Sequence, residues 1–252
     1  MEECDVIILA FACYTIDAYR AQIETINATW GVQCAVHDVK LLYFLGEATI
    51  KGFHDTEHVK YINLPGVADD YVSASYKQFL GMRYVHDHYR AKFLMCIGTD
   101  VYVNIPKLLR YVGTLDHTDR LYVGGHGCVR RIGSVSYYFH SGGPGFILTR
   151  ESVAALYDRL VGLVEDWTAV CNANGVHLIF ACDVSVSYYL QQPNMNVKIV
   201  HVDDLSFLHC NYRGVPCHPN QVDVRNIISC HLMSRDDCVE FTRILVENDH
   251  FM

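Results

Sequence analysis

Phe93-Leu94-Met95-Cys96-Ile97-Gly98-Thr99-Asp100 decides the reading of this chain: five apolar residues without a break, then a glycine, a hydroxyl and a carboxylate. An uninterrupted apolar run of that length predicts a strand buried on both faces, and Gly98-Thr99-Asp100 marks its carboxyl end. Upstream, Tyr76, Phe79, Leu80, Tyr84 and Val85 recur at spacings of three and four, which predicts a helix over 73–88. Further back, Val59 to Leu64 closes at Pro65-Gly66 as a strand and Leu41 to Leu45 ends as another at Gly46. Ala18 to Trp30 has helical spacing, and Val6 to Ala12 is a further apolar strand. Strands alternating with helices predict an α/β fold with a central, mostly parallel sheet flanked by helices. In such sheets ligands sit beyond the carboxyl ends of the strands, which puts Gly98-Thr99-Asp100 where chemistry is expected.

Downstream, Leu121 to Val123 reads as a strand and 124–136 as a loop holding four glycines and Arg130-Arg131. Tyr137 to His140 leads into Ser141-Gly142-Gly143-Pro144-Gly145, and Phe146 to Leu148 is a short strand. A helix is predicted over 151–166 with Thr149 as N-cap, another over 182–191 with Asp183 at its start, a strand over 197–202 and a last helix over 236–247. No repeat, linker or low-complexity tract interrupts the 252 residues, so one domain spanning 1–252 is expected.

Composition narrows the function. The chain is 51% apolar and 19% charged, with a formal net charge of −8 and no Lys/Arg run, which excludes a nucleic-acid-binding surface. No stretch approaches the roughly 20 apolar residues of a membrane-spanning helix, and Glu2-Glu3 precedes the first apolar run where a secretory signal would be positive. The eleven cysteines form no Cys-x-x-Cys pair, which favours buried thiols with a few disulfides over a zinc or redox centre. His209-Cys210 and Cys217-His218 bring zinc ligand types together. Sequence neighbours point apart, however, so a Cys210–Cys217 disulfide or two unlinked thiols fits better.

Several segments carry chemistry-bearing residues. Asp100 at a strand end suits a hard cation against a diphosphate, or a simple turn cap. The glycines of 142–145 let backbone approach a ligand closely, or make a tight turn. Asp183 is one carboxylate in the apolar run Phe180 to Val186; such surroundings raise a pKa toward general-base use, although a helix N-cap is the plainer role. His231, in Ser229-Cys230-His231-Leu232, is a metal ligand or a satisfied buried ring.

Taken in order, these segments resemble glycosyltransferase family 31, the group of the fringe proteins and the core 1 galactosyltransferases. Thr29-Trp30-Gly31-Val32-Gln33-Cys34 is similar to the family's Thr-Trp-Gly-x-x-Cys segment. Asp69-Asp70-Tyr71-Val72-Ser73-Ala74-Ser75-Tyr76-Lys77 is similar to Asp-x-Tyr-x-Asn-Leu-Thr-x-Lys, with Asp69, Tyr71 and Lys77 in register. Gly98-Thr99-Asp100 falls on the Asp-Asp-Asp metal motif, and Tyr138 to Leu148 resembles the Ser-Gly-Gly-x-Gly-Tyr-x-Leu segment. Cys182-Asp183-Val184 resembles the acidic pair before the last core helix, and Ser229 to Leu232 the terminal Phe-His-Ser-His-Leu stretch.

The resemblance implies a GT-A type fold, with a nucleotide-binding half at about 1–104 and an acceptor-binding half at about 105–252. It implies an inverting, metal-dependent transfer of galactose or N-acetylglucosamine from a UDP-sugar to a glycan or glycoprotein hydroxyl, usually forming a β-1,3 linkage. By this carry-over Asp100 and His231 hold Mn²⁺ and Asp183 is the base. Thr15, Arg20, Asp69, Lys77, Thr99, Asp100, Gly142 and Gly143 lie near the nucleotide sugar, and Tyr137, Tyr138 and Phe139 face the acceptor. A homodimer is compatible with this reading. Relatives are usually anchored in the Golgi, whereas this chain starts almost at its first strand. Gly98 and Thr99 replace the first two acids of the metal motif and Cys182 one of the acidic pair, so a silent binding protein or chaperone of the same fold is the second expectation.

Overall fold

The computed structural model describes residues 1–248. In chain order the elements run β1 (Glu2–Phe11), α1 (Asp17–Ala28), α2 (Gln33–Val36), β2 (Lys40–Leu45), β3 (Val59–Asn63), α3 (Ala74–His88) and β4 (Tyr89–Ile97). There follow β5 (Tyr102–Val103), α4 (Ile105–Val112), β6 (Leu121–Gly124), β7 (Gly127–Ile132), β8 (Val135–His140) and β9 (Phe146–Thr149). The remainder comprises α5 (Arg150–Leu156), α6 (Leu163–Asn174), α7 (Cys182–Leu190), β10 (Lys198–His201), β11 (Phe207–Leu208), β12 (Ser229–Cys230) and α8 (Arg235–Glu247).

The main sheet has the order β10-β6-β9-β4-β1-β2-β3. All its pairings are parallel except those of β9 with β4 and β6, so the expected α/β architecture with a mostly parallel sheet is what the chain adopts. Both faces are covered: Val6, Ile8 and Ala10 of β1 enter one core with Trp30, Tyr43 and Phe241, and Ile7 and Leu9 enter the other with Phe79, Tyr122 and Trp167. Strands buried on both sides need apolar residues at every position, which is why they read as continuous runs.

Sheet order reverses between β1 and β4: from β1 the chain goes to β2 and β3 on one side, then returns to β4 on the other. The loops after these two strands splay apart there and open a crevice.

A small second sheet supplies the other wall. β5 pairs antiparallel with β12, Tyr102 opposite Cys230 and Val103 opposite Ser229, and β11 adds parallel to β12. The pairing continues past the strands, with Met233 N–H donating to the Asp100 carbonyl. Trp30 Nε1 donates to the carbonyl of Val101 at 3.1 Å, which ties the end of α1 to the same corner.

Three local expectations are corrected. The segment 124–136 is not a loop. Most of it belongs to the hairpin β7–β8, closed by Gly133 at φ +61° and Ser134. A Cβ-bearing residue is disfavoured at that φ. The hairpin stands off the main sheet with Val129 and Val135 exposed, so its strands lack the alternation that would reveal them. The helix expected over 151–166 is broken: α5 ends at Leu156 and α6 starts after Gly162, the intervening turn being partly 3₁₀. Thr149 does occupy the N-cap of α5, but its hydroxyl donates to Asp119 O at 2.7 Å and meets Ser152, and does not cap the helix. All eleven cysteines are free, so of the two alternatives for Cys210 and Cys217 the unlinked thiols are found.

Candidate active site

The crevice between β1 and β4 is a cavity of about 370 Å³. Phe11 to Cys13 and Gly98 to Asp100 form its floor, Ser141 to Gly143 and Phe180 to Asp183 one side, and His209 and His231 the end. Lys77, Asp70, Tyr71 and Tyr19 complete the rim.

Asp100 and His231 converge. Their Oδ2 and Nε2 atoms lie 3.1 Å apart, as the β5–β12 pairing dictates. Among the described residues no backbone amide donates to the Asp100 carboxylate, whose partner is His231, so the turn-cap alternative is not the arrangement found. His231 Nδ1 is buried and has no hydrogen-bond partner among the described residues. Gly143 lies against it: a Cβ there would stand 2.7 Å from His231 Nδ1 and 2.6 Å from His209 Nδ1, so only glycine fits between these rings.

Asp183 sits in the first turn of α7, whose N-cap is Ala181, so the N-cap alternative for Asp183 does not apply. Its Oδ2 accepts from Gly142 N–H at 2.8 Å and its Oδ1 from Val184 N–H at 2.8 Å. Burial raises its pKa above the ordinary carboxylate value, against the opposing pull of those amides and of Arg130. The glycine segment thus holds the carboxylate on one side and the histidines on the other.

Lys77 is buried on α3, with Nζ 3.2 Å from Asp69 Oδ1 and 3.0 Å from Asp70 O. Asp69 lies behind the cavity wall and clasps two loops, accepting from Tyr14 N at 2.7 Å and Thr15 N at 2.8 Å after β1 and from Gly46 N at 2.9 Å after β2. Burial works against its charge, but those amides and Lys77 outweigh the cost and its pKa is lowered. Thr15 Oγ1 donates to Asp69 O at 2.7 Å, and Arg20 pairs with Asp17 at 2.6 Å; neither lines the cavity. Thr99 does, its hydroxyl donating to Gln22 Oε1 at 2.5 Å. Lys77, Thr99, Asp100, Gly142, Gly143, Asp183 and His231 are therefore brought together, and Thr15, Arg20 and Asp69 support the wall from outside.

Tyr137, Tyr138 and Phe139 are not on the cavity wall. Phe139 is buried in the core, Tyr137 packs on Tyr188 with centroids 4.8 Å apart, and Tyr138 OH meets His201 Nδ1 at 2.8 Å. Their strand β8 is latched to α7, because Gln191 Nε2 and Ser187 Oγ both donate to Tyr138 O. Residues to which the sequence reading gave no role in this site also reach the cavity: Ser141, His209, Tyr19 and the exposed Phe180. His209 stacks on His126 with centroids 4.5 Å apart. Burial, followed by the neighbouring His126 and His231, lowers its pKa to about 4. In the sequence it draws attention only as a neighbour of Cys210 in a zinc-type pattern, although its position after a short apolar pair, Phe207-Leu208, is a second signal.

Among the described residues no group of three or more His, Cys, Asp or Glu side chains forms a self-sufficient metal centre. Two ligands nonetheless fit a divalent cation shared with a substrate. Neighbouring ligands about 2.1 Å from one octahedral ion lie about 3 Å apart, and the 3.1 Å between Asp100 Oδ2 and His231 Nε2 matches that spacing. Such ions commonly take one or two protein ligands and complete their shell with phosphate and water.

The mostly parallel sheet flanked by helices, with a cavity at its switch point, is a GT-A type fold, and the comparisons with known proteins agree. The Fringe-like family model matches residues 45–235, and the chain belongs to that family of glycosyltransferases. Human UDP-GalNAc:beta-1,3-N-acetylgalactosaminyltransferase 1 is 24% identical over 251 residues, which cover 89% of this chain and 70% of that protein. Human chondroitin sulfate synthase 3 is 37% identical over 98 residues, covering 36% of this chain and 11% of that much longer protein. A glycosyltransferase involved in glycosylation of the major capsid of PBCV-1 superposes with a TM-score of 0.54 at 14% identity, covering 95% of this chain and all of the other. That likeness is one of fold. No helix among the described residues is long and apolar enough to cross a membrane.

Proposed function

We propose that this chain is an inverting, metal-dependent glycosyltransferase that moves a hexose or N-acetylhexosamine from a UDP-sugar to a hydroxyl of a glycan or glycoprotein, forming a β-1,3 linkage. The observation that carries the reading is that Asp183, Asp100 and His231 line one cavity at the switch point of the sheet. The relative named for UDP-GalNAc and a β-1,3 product supports the donor class and the linkage.

Asp183 is the base. Two amides fix its carboxylate, and its raised pKa makes the ionised form a better proton acceptor than a solvated aspartate. It takes the proton of the acceptor hydroxyl as that oxygen attacks the anomeric carbon in line. Asp100 and His231 would hold Mn²⁺, which when bound neutralises charge on the departing diphosphate. Lys77, Thr99, Gly142 and Gly143 contact the nucleotide sugar, and Asp69, Thr15 and Arg20 keep the loop after β1 in place around it. The acceptor enters past the exposed Phe180 and Tyr71, with Tyr137, Tyr138 and Phe139 shaping the outer edge through the hairpin latched to α7.

Incubating the purified chain with a panel of UDP-sugars, Mn²⁺ and neutral glycan acceptors tests this. Release of UDP from one donor, abolished by a chelator, is the expected result. No turnover and no UDP binding with any donor would remove the proposal.

A further inference from the structure

His209 follows β11 and lines the cavity beside His231, with ring centroids 5.3 Å apart. Its ring is held on several sides: parallel to His126 at 9° between planes, edge-on to the Gly143 backbone, and bonded at Nδ1 to Ser141 Oγ at 3.0 Å. Gly143 N–H donates to Ser141 Oγ at 3.4 Å, and Ser141 carries one hydroxyl proton that lies within reach of Nδ1. An Nδ1 that accepts places the single proton of a neutral imidazole on Nε2. Among the described residues, His209 Nε2 has no hydrogen-bond partner. With Ser141 as the donor, the relay Gly143 N–H to Ser141 to His209 leaves an N–H on a ring that lines the cavity next to His231.

We propose that His209 is a diphosphate-binding residue, its Nε2–H donating to a non-bridging phosphate oxygen of the nucleotide sugar, and that Ser141 is a positioning residue that fixes the tautomer. The inference rests on the nucleotide-sugar reading of the cavity. A donor with no accepting capacity suits an anionic oxygen, and the neighbouring Asp100 and His231 bring the diphosphate to this end of the cavity.

Calorimetry with UDP and Mn²⁺ tests the contact. Losing a hydrogen bond to a charged group weakens binding by about tenfold or more, so His209→Ala should lose that much affinity for UDP. His209→Gln, which carries an amide N–H near the position of Nε2, should recover most of it. Nitrogen-15 spectra of the histidine rings in the wild-type protein should show His209 protonated at Nε2, and Ser141→Ala should convert that signal to a tautomer mixture. This reading needs no variant of His209 to fold. A wild-type ring protonated at Nδ1, unchanged UDP affinity in His209→Ala, or a loss seen with UDP-sugar but not with UDP overturns the proposal. Wild-type protein that binds no UDP overturns the nucleotide-sugar reading and this inference with it, whereas intact wild-type binding with an indifferent His209→Ala overturns the inference alone.

Discussion

The Asp100 carboxylate meets the His231 imidazole at 3.1 Å because Tyr102 and Val103 pair antiparallel with Cys230 and Ser229. Two residues from distant parts of the chain become neighbours through one short ladder. Replacing either ligand should weaken Mn²⁺-dependent UDP binding by about ten- to a hundredfold, the scale seen for perturbed metal sites. Titrating UDP into Asp100→Asn and into His231→Ala, with and without Mn²⁺, checks this: the metal-dependent increment should shrink in both, and an undiminished increment in either removes that residue from the ligand set.

Gly143 is wedged against two histidine rings, and a Cβ would reach 2.6 Å from His209 and 2.7 Å from His231. Gly143→Ala should therefore displace both rings, costing about 1–3 kcal/mol through overpacking and more in Mn²⁺-dependent UDP binding than in folding. Comparing urea midpoints with UDP titrations separates these effects. A variant with wild-type UDP affinity would show that the close packing is irrelevant to the site.

Asp69 and Lys77 form a buried pair at 3.2 Å. Removing one partner leaves the other charge uncompensated, so Lys77→Met should cost about 3–5 kcal/mol of stability. The pH dependence follows from Asp69, whose folded pKa lies below its unfolded value. Its contribution is full above an unfolded pKa of about 3.9 and is lost as pH falls from there through the lower folded value. Urea unfolding should thus show the gap between wild type and Asp69→Asn at pH 7, narrowing under acid; a gap that widens in acid contradicts the assignment.

Burial raises the pKa of Asp183, and the Arg130 charge partly offsets it. Transfer needs the ionised carboxylate, so the rate should fall with decreasing pH at a midpoint above the ordinary aspartate value. Arg130→Ala should move that midpoint further up. A pH–rate profile of kcat/KM for both proteins checks the sign, and a downward move in the variant would contradict it.

The main sheet was legible in the sequence because strands buried on both faces must be apolar throughout, as in Val6 to Ala10 and Phe93 to Ile97. The hairpin β7–β8 was not, because its strands contribute little to the core and their glycines read as a loop. Asp100, Asp183 and His231 could be picked out as chemistry at element ends, but their meeting in one cavity depends on the two-residue strands β5 and β12, too short to leave a periodic signal. In the sequence His209 stands out only beside Cys210, Cys217 and His218, and its real place depends on rings and a hydroxyl contributed by His126, Ser141 and His231, none of them near it in the chain. Asp69 was read as a nucleotide neighbour, and its three amide partners place it one layer behind the cavity wall.

Asp183→Asn gives the most direct measurement of the central claim, that one cavity holds a nucleotide sugar at Asp100 and His231 and activates the acceptor at Asp183. Assayed side by side for UDP affinity and for sugar transfer, the variant should bind UDP as the wild type does while transfer drops by about a hundredfold or more, the range for loss of a general base. Full transfer activity in Asp183→Asn would contradict the account.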